Sequence, residues 1–86
     1  MMYRVELSRA AARAVRRMSG AERARLEPKL AELAADPYAA HLDIKKLTGR
    51  TGYRLRVGNW RVLYDLDDRV RIVAVEDVRQ RGGAYQ

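Results

Sequence analysis

From Tyr53 the chain alternates apolar and polar residues about one two-residue turn, and this stretch constrains the fold more than any other. Tyr53, Leu55 and Val57 alternate with Arg54 and Arg56, and Trp60, Val62, Tyr64 and Leu66 alternate with Arg61, Leu63 and Asp65. Period two is the repeat of a strand with one buried face. Gly58-Asn59 separates the runs, with glycine at the first central position, where a type II′ hairpin turn needs a positive φ. That turn sets the register. Val57 then faces Trp60, Leu55 faces Val62 and Tyr53 faces Tyr64, and the face they share must lie beneath other elements.

The opposite face carries Arg54, Arg56 and Arg61, with Arg56 directly across from Arg61. Like charges in opposed positions destabilise a sheet, so selection for folding alone would favour threonine, glutamate or a mixed pair there. Any one of these arginines reads best as a solvated surface residue. Three converging on one hairpin read as a phosphate cradle, because the planar guanidinium fork matches phosphate oxygens.

Upstream, Tyr3-Arg4-Val5-Glu6-Leu7 alternates as a strand, and Ser8 offers a helix N-cap. Ala11, Ala14, Val15 and Met18 fall on one helical face. Ser19-Gly20-Ala21-Glu22 has capping-box spacing and opens a second helix with a ridge of Leu26, Leu30, Leu33 and Ala34. Pro28 predicts a bend or one lost hydrogen bond within it, and Asp36-Pro37 predicts its end. Residues 38–52 read as a connecting segment, Asp67-Asp68 as a turn, and Arg69 to Val78 as the last strand. A two-residue turn would put Val73 and Val75 on the helix side and Val70, Ile72 and Ala74 on the arginine side; a three-residue turn would reverse them. The expected fold is α+β in two layers, β-α-α-β-β-β, a helical hairpin on one face of a twisted antiparallel sheet.

Eighty-six residues fit one domain, 1–86. The absence of cysteine and the single histidine argue against disulfides and a bound zinc, so no metal or cofactor is expected. No apolar run has the length of a membrane span, and the cytoplasm is the default compartment. Eighteen Lys and Arg against eleven Asp and Glu give a net charge of +7. Such a charge favours a polyanion or an acidic protein, although a merely soluble basic domain would also carry it.

The run Tyr53-Arg54-Leu55-Arg56-Val57-Gly58-Asn59-Trp60-Arg61-Val62-Leu63-Tyr64 resembles the core of the RelE/ParE toxins. So do the opening Tyr3 to Ser8, the Asp36-Pro37 stop, Lys45-Lys46-Leu47 before a glycine, and Arg81 followed four residues on by Tyr85. The resemblance spans nearly the whole chain. It implies a RelE-like fold and a toxin of a toxin–antitoxin pair, most simply a ribosome-dependent, metal-independent endoribonuclease acting on mRNA. In such a reaction the RNA 2′-OH attacks the adjacent phosphate, leaving a 2′,3′-cyclic phosphate and a free 5′-OH.

Carried over by position, Arg54, Arg56, Arg61, Arg81 and Tyr85 are the implied catalytic set, and Lys45, Lys46, Arg54, Arg56 and Arg79 the implied RNA-binding set. Arginine stays protonated at ordinary pH and is a poor base, so Tyr85 is the base the resemblance offers. By position alone Tyr85 reads as a chain-end residue. Glu76 and Asp77 read better as solubilising strand-end charges than as bases, and His41 as a surface residue. The implied partners are an acidic antitoxin, in a hetero-oligomer, together with mRNA and the ribosome, and no membrane. Two alternatives share the fold: a ParE-like inhibitor of DNA gyrase, and a catalytically weak toxin that acts with its antitoxin as an operon repressor.

Overall fold

The computed structural model describes residues 2–80. In chain order the elements are β1 (Arg4–Leu7), α1 (Arg9–Arg17), α2 (Gly20–Ala35), β2 (Ile44–Lys46), β3 (Tyr53–Val57), β4 (Trp60–Asp67) and β5 (Ile72–Gln80). The strands form one sheet in the order β1-β5-β4-β3-β2. The expected two-layer α+β architecture is present, with two differences. The sheet is mixed, because β1 pairs parallel to β5 while every other pair is antiparallel. The connecting segment also contributes a strand, β2, whose Ile44 stands beside Leu55.

Local chemistry sets the helix ends as the sequence predicts. Ser8 Oγ accepts from Ala11 N at 3.0 Å and donates to the Glu76 carbonyl at 2.6 Å, so the α1 cap is also a clasp on β5. At α2, Ser19 Oγ accepts from Glu22 N, and Glu22 accepts from Ser19 N at 2.9 Å. The second Glu22 oxygen accepts from Trp60 Nε1 at 3.1 Å, tying the helix start to the hairpin tip. α2 continues through Pro28 to Ala35. Proline there removes only the backbone donor that would bond Ala24, a loss tolerable on an exposed face.

The hairpin register is the expected one: Val57 with Trp60, Arg56 with Arg61, Leu55 with Val62 and Tyr53 with Tyr64. Gly58 has φ +58° while Asn59 is not in the positive region, which fits a type II′ turn and excludes type I′. Leu55, Val57, Val62 and Tyr64 are buried with Ala11, Met18, Leu26 and Leu33 in one core. Both helices therefore cover the apolar face of the sheet, and the arginine face is left open.

The β4–β5 turn is longer than either expected alternative. Asp67 pairs with Ile72, leaving a four-residue loop, Asp68–Arg71. Asp67 Oδ1 accepts from Arg69 N at 3.1 Å, and Arg71 takes a positive φ of 56° to close the loop. The last strand accordingly starts at Ile72, not Arg69. An even loop preserves parity, so Val73 and Val75 go to the core and Ile72 and Ala74 to the open face, as a two-residue turn would have placed them. Val70 stays in the loop, 61% exposed.

Candidate nucleic-acid interface

Strict alternation beyond Val75 would send Asp77 and Arg79 into the core and Val78 to the open face. A β-bulge prevents this. Tyr64 pairs with Val75 and Leu63 with Asp77, so Glu76 is an extra residue opposite β4. Beyond it Val78 is buried, and Arg79 stands across from Arg61. Arg61 in turn faces Arg56. The hairpin register and the bulge together build one row of guanidinium groups, Arg56, Arg61 and Arg79, across three neighbouring strands.

A second row runs beside it. Lys45 of β2 pairs with Arg54 of β3, which pairs with Leu63 of β4. Lys46 takes the Tyr53 register position but, with Lys45, Leu47, Thr48, Arg54 and Arg61, also lines an open groove of about 190 Å³. The structure thus brings together Lys45, Lys46, Arg54, Arg56, Arg61 and Arg79. Arg81 and Tyr85 lie outside the described residues.

Two carboxylates that the sequence reading did not assign to the site hold these side chains. Asp43, just before β2, pairs with Arg54 at 3.0 Å and with Arg56 at 3.9 Å. Asp77 pairs with Arg79 Nε at 2.7 Å. Arg54 is only 14% exposed at its side chain, and both its Nε and that of Arg56 are buried without a hydrogen-bond acceptor. Such donors are unfavourable in a structure selected only for stability. Asp43 was not identifiable because its position depends on β2, whose three residues, Ile44-Lys45-Lys46, are too few to read as a strand.

Flanking the rows, the bulge residue Glu76 receives Arg50 at 2.7 Å. Its carboxyl is held above the ordinary glutamate range, chiefly by a hydrogen bond with Asp65 and then by desolvation. Gly52, at φ +106°, lets the Arg50 loop close on β4, since a Cβ would stand 2.9 Å from the Tyr64 carbonyl oxygen. Glu76 and Asp77 are thus built into the open face through ion pairs and do not act as loose strand-end charges. His41 pairs with Glu32 at 2.7 Å, away from both rows.

What the face can do follows from this geometry. Fixed guanidinium groups on a pleated surface offer paired donors to successive phosphates, and they favour negative charge that develops on a phosphorus centre.

Solved structures share this fold over nearly the whole chain. A chain of the archaeal RelE–RelB complex from Pyrococcus horikoshii matches with a TM-score of 0.83 and 26% identity, covering 98% of this chain and 100% of that one. A chain of the RelBE2 toxin–antitoxin complex from Mycobacterium tuberculosis matches with a TM-score of 0.78 and 25% identity, covering 94% and 100%. The isolated RelE toxin of E. coli has a TM-score of 0.78 at 23% identity, covering 93% and 85%, a likeness of fold. No curated protein matches the sequence significantly.

The class is therefore that of the RelE-fold toxins, whose solved structures include complexes with antitoxins. Residues 5–85 match the model of the ParE toxin of type II toxin–antitoxin systems, and the chain belongs to that family, within the RelE/ParE superfamily.

Proposed function

We propose that this toxin is a ribosome-dependent endoribonuclease that cuts mRNA by attack of a 2′-OH on the adjacent phosphate. The observation that carries the reading is the guanidinium row Arg56, Arg61 and Arg79, three like charges in opposed positions across neighbouring strands, an arrangement that costs a sheet stability. In the reaction the 2′-oxygen forms a bond to phosphorus, the bond to the 5′-oxygen breaks, and a proton passes from the nucleophile to a base. The leaving 5′-oxygen takes up a proton, giving a 2′,3′-cyclic phosphate and a 5′-hydroxyl. Charge accumulates on the non-bridging oxygens, where Arg61, flanked by Arg56 and Arg79, stabilises the transition state more than the ground state. Lys45, Lys46 and Arg54 hold neighbouring phosphates, and the groove along them gives the strand a path.

The base is the demanding role. Arginine keeps its proton, so Tyr85 takes the role, with Arg81 as a further C-terminal cation. A reaction so dependent on placement gains most from a large scaffold that fixes the message, which is the reason for assigning ribosome dependence. The partner that restrains the toxin in the cytoplasm is an acidic antitoxin covering the basic face, in line with the neighbours solved as toxin–antitoxin complexes.

A second reading is favoured by the family match itself: a ParE-like toxin that binds DNA gyrase and cuts nothing. Asp43 and Asp77 suit it as well, because they hold the arginines in ion pairs that a protein surface could exchange.

Primer extension on message after brief induction separates the two. The nuclease reading expects cuts in phase with codons that disappear with Arg61→Ala and weaken with Tyr85→Phe. Growth arrest over intact message, with induction of the DNA-damage response, would overturn it in favour of gyrase.

A further inference from the structure

Outside the sheet face, α1 carries a stripe of arginines. Arg9, Arg13, Arg16 and Arg17 stand at i, i+4, i+7 and i+8, so they share one side of the helix, and all are exposed. The core side of α1 is given to Ala11, with Ala14 and Val15 partly buried. Because the helices cover the apolar face of the sheet, the stripe lies on the opposite side of the molecule from Arg56, Arg61 and Arg79.

Folding does not account for it. Arg16 and Arg17 lie in the last helical turn, where positive charge suits the helix dipole. Arg9 lies in the first turn, where it opposes the dipole and no acidic residue offsets it. Arg9 with Arg13, and Arg13 with Arg17, are like-charge pairs one turn apart, which destabilise a helix. Among the described residues, none of the four makes an ion pair or a side-chain hydrogen bond, although exposed Arg4 and Lys29 both find a carboxylate.

We infer that this stripe is a second polyanion site, which docks the phosphate backbone of folded, double-stranded RNA. It rests on the reading that the toxin works on RNA, and it adds a contact remote from the strand being cut. α1 carries no aromatic residue, so it lacks the stacking platform that single-stranded recognition requires. It does offer a rigid row of about 12 Å, at the helical rise per residue, with Arg13, Arg16 and Arg17 side by side. The narrow major groove of A-form RNA draws two rows of phosphates together, and a short stripe two side chains wide can reach both. The major groove of B-form DNA spreads them further apart.

The test is fluorescence anisotropy of the full chain on an RNA stem of about 16 base pairs, over a range of salt. Parallel titrations use a DNA stem of the same sequence and a polyglutamate peptide. Arg13→Glu/Arg17→Glu keeps good helix formers at exposed positions, and circular dichroism checks that it folds. Expected are a loss of RNA-stem affinity of at least about tenfold and a salt slope shallower by about two, one for each phosphate contact removed. Lys29→Gln, at an exposed basic position of α2 outside both the stripe and the sheet face, should leave stem binding within about twofold. An unchanged affinity and slope in the folded double variant would overturn the proposal. Equal losses on the DNA stem, or a larger loss on polyglutamate, would overturn the assignment to RNA. Failure of the nuclease reading looks different: message stays intact in cells while the stem titration is unaffected.

Discussion

Arg61 occupies the centre of the open face, between Arg56 on one strand and Arg79 on the other. Its planar fork gives paired donors that an ammonium cannot reproduce, so Arg61→Lys is not a conservative change here. Loss of one such donor pair from a developing oxyanion typically lowers a rate by about 100-fold, and single-turnover cleavage on programmed ribosomes should read a drop of that order. Asp43 has the reverse role. It stands between Arg54 and Arg56 and competes with phosphate for both. Asp43→Asn should therefore tighten RNA binding and steepen its salt dependence; an unchanged titration would show that the carboxylate only orients the arginines. Arg54, Arg56 and Arg61 were legible from residue spacing alone, since a two-residue turn dictates which side chains share a face. The opposing carboxylate was not, because it acts across β2, a strand with one apolar residue to announce it.

At the scale of elements the bulge in β5 decides where Arg79 points. The sequence carries its trace, since Val73 and Val75 are two apart while Val75 and Val78 are three apart, a spacing that neither turn alternative explains. Deleting Glu76 would remove the bulge yet keep Val78 in the core and Arg79 beside Arg61. Deleting Ala74 instead would reverse the faces of the residues beside the change. A folded, active protein without Glu76, alongside an unfolded one without Ala74, is the expected result by circular dichroism and cleavage. The glycines give a graded comparison. Gly58→Ala meets only the movable end of Arg25 at 3.1 Å, so its penalty is mainly the positive φ, about 1 kcal/mol. Gly52→Ala meets the fixed Tyr64 carbonyl oxygen at 2.9 Å with φ at +106°, and should lose about 3 kcal/mol in urea unfolding. Equal losses at the two sites would contradict this placement of the Arg50 loop.

Across the whole molecule, helices, hairpin and core were readable because each rests on local periodicity and caps. The parallel partnership of β1 with β5 joins the two ends of the fold, and no local pattern encodes it. That join is reinforced by Asp68, which accepts from Tyr3 and Tyr38 hydroxyls at 2.6 Å each and whose carboxyl is consequently held below the ordinary range. A lowered pKa supplies stability above the unfolded carboxyl value and loses it as pH falls through the folded one. Glu76 has the opposite sign: its raised carboxyl contributes fully in acid, and that contribution fades as pH rises through the raised value. Thermal melts across the acid range should show a shallower acid decline for Asp68→Asn. Glu76→Gln should match wild type in acid and equal or exceed it at neutral pH, whereas a uniform loss would remove Glu76 from this role. The central claim, that Arg56, Arg61 and Arg79 act as one phosphate-binding row, is tested most directly by the salt dependence of binding to single-stranded message. Replacing all three with glutamine should reduce the slope of log affinity against log salt by about two, the expectation for three contacts on a single strand. A slope unchanged from wild type, in a variant that folds, would contradict it.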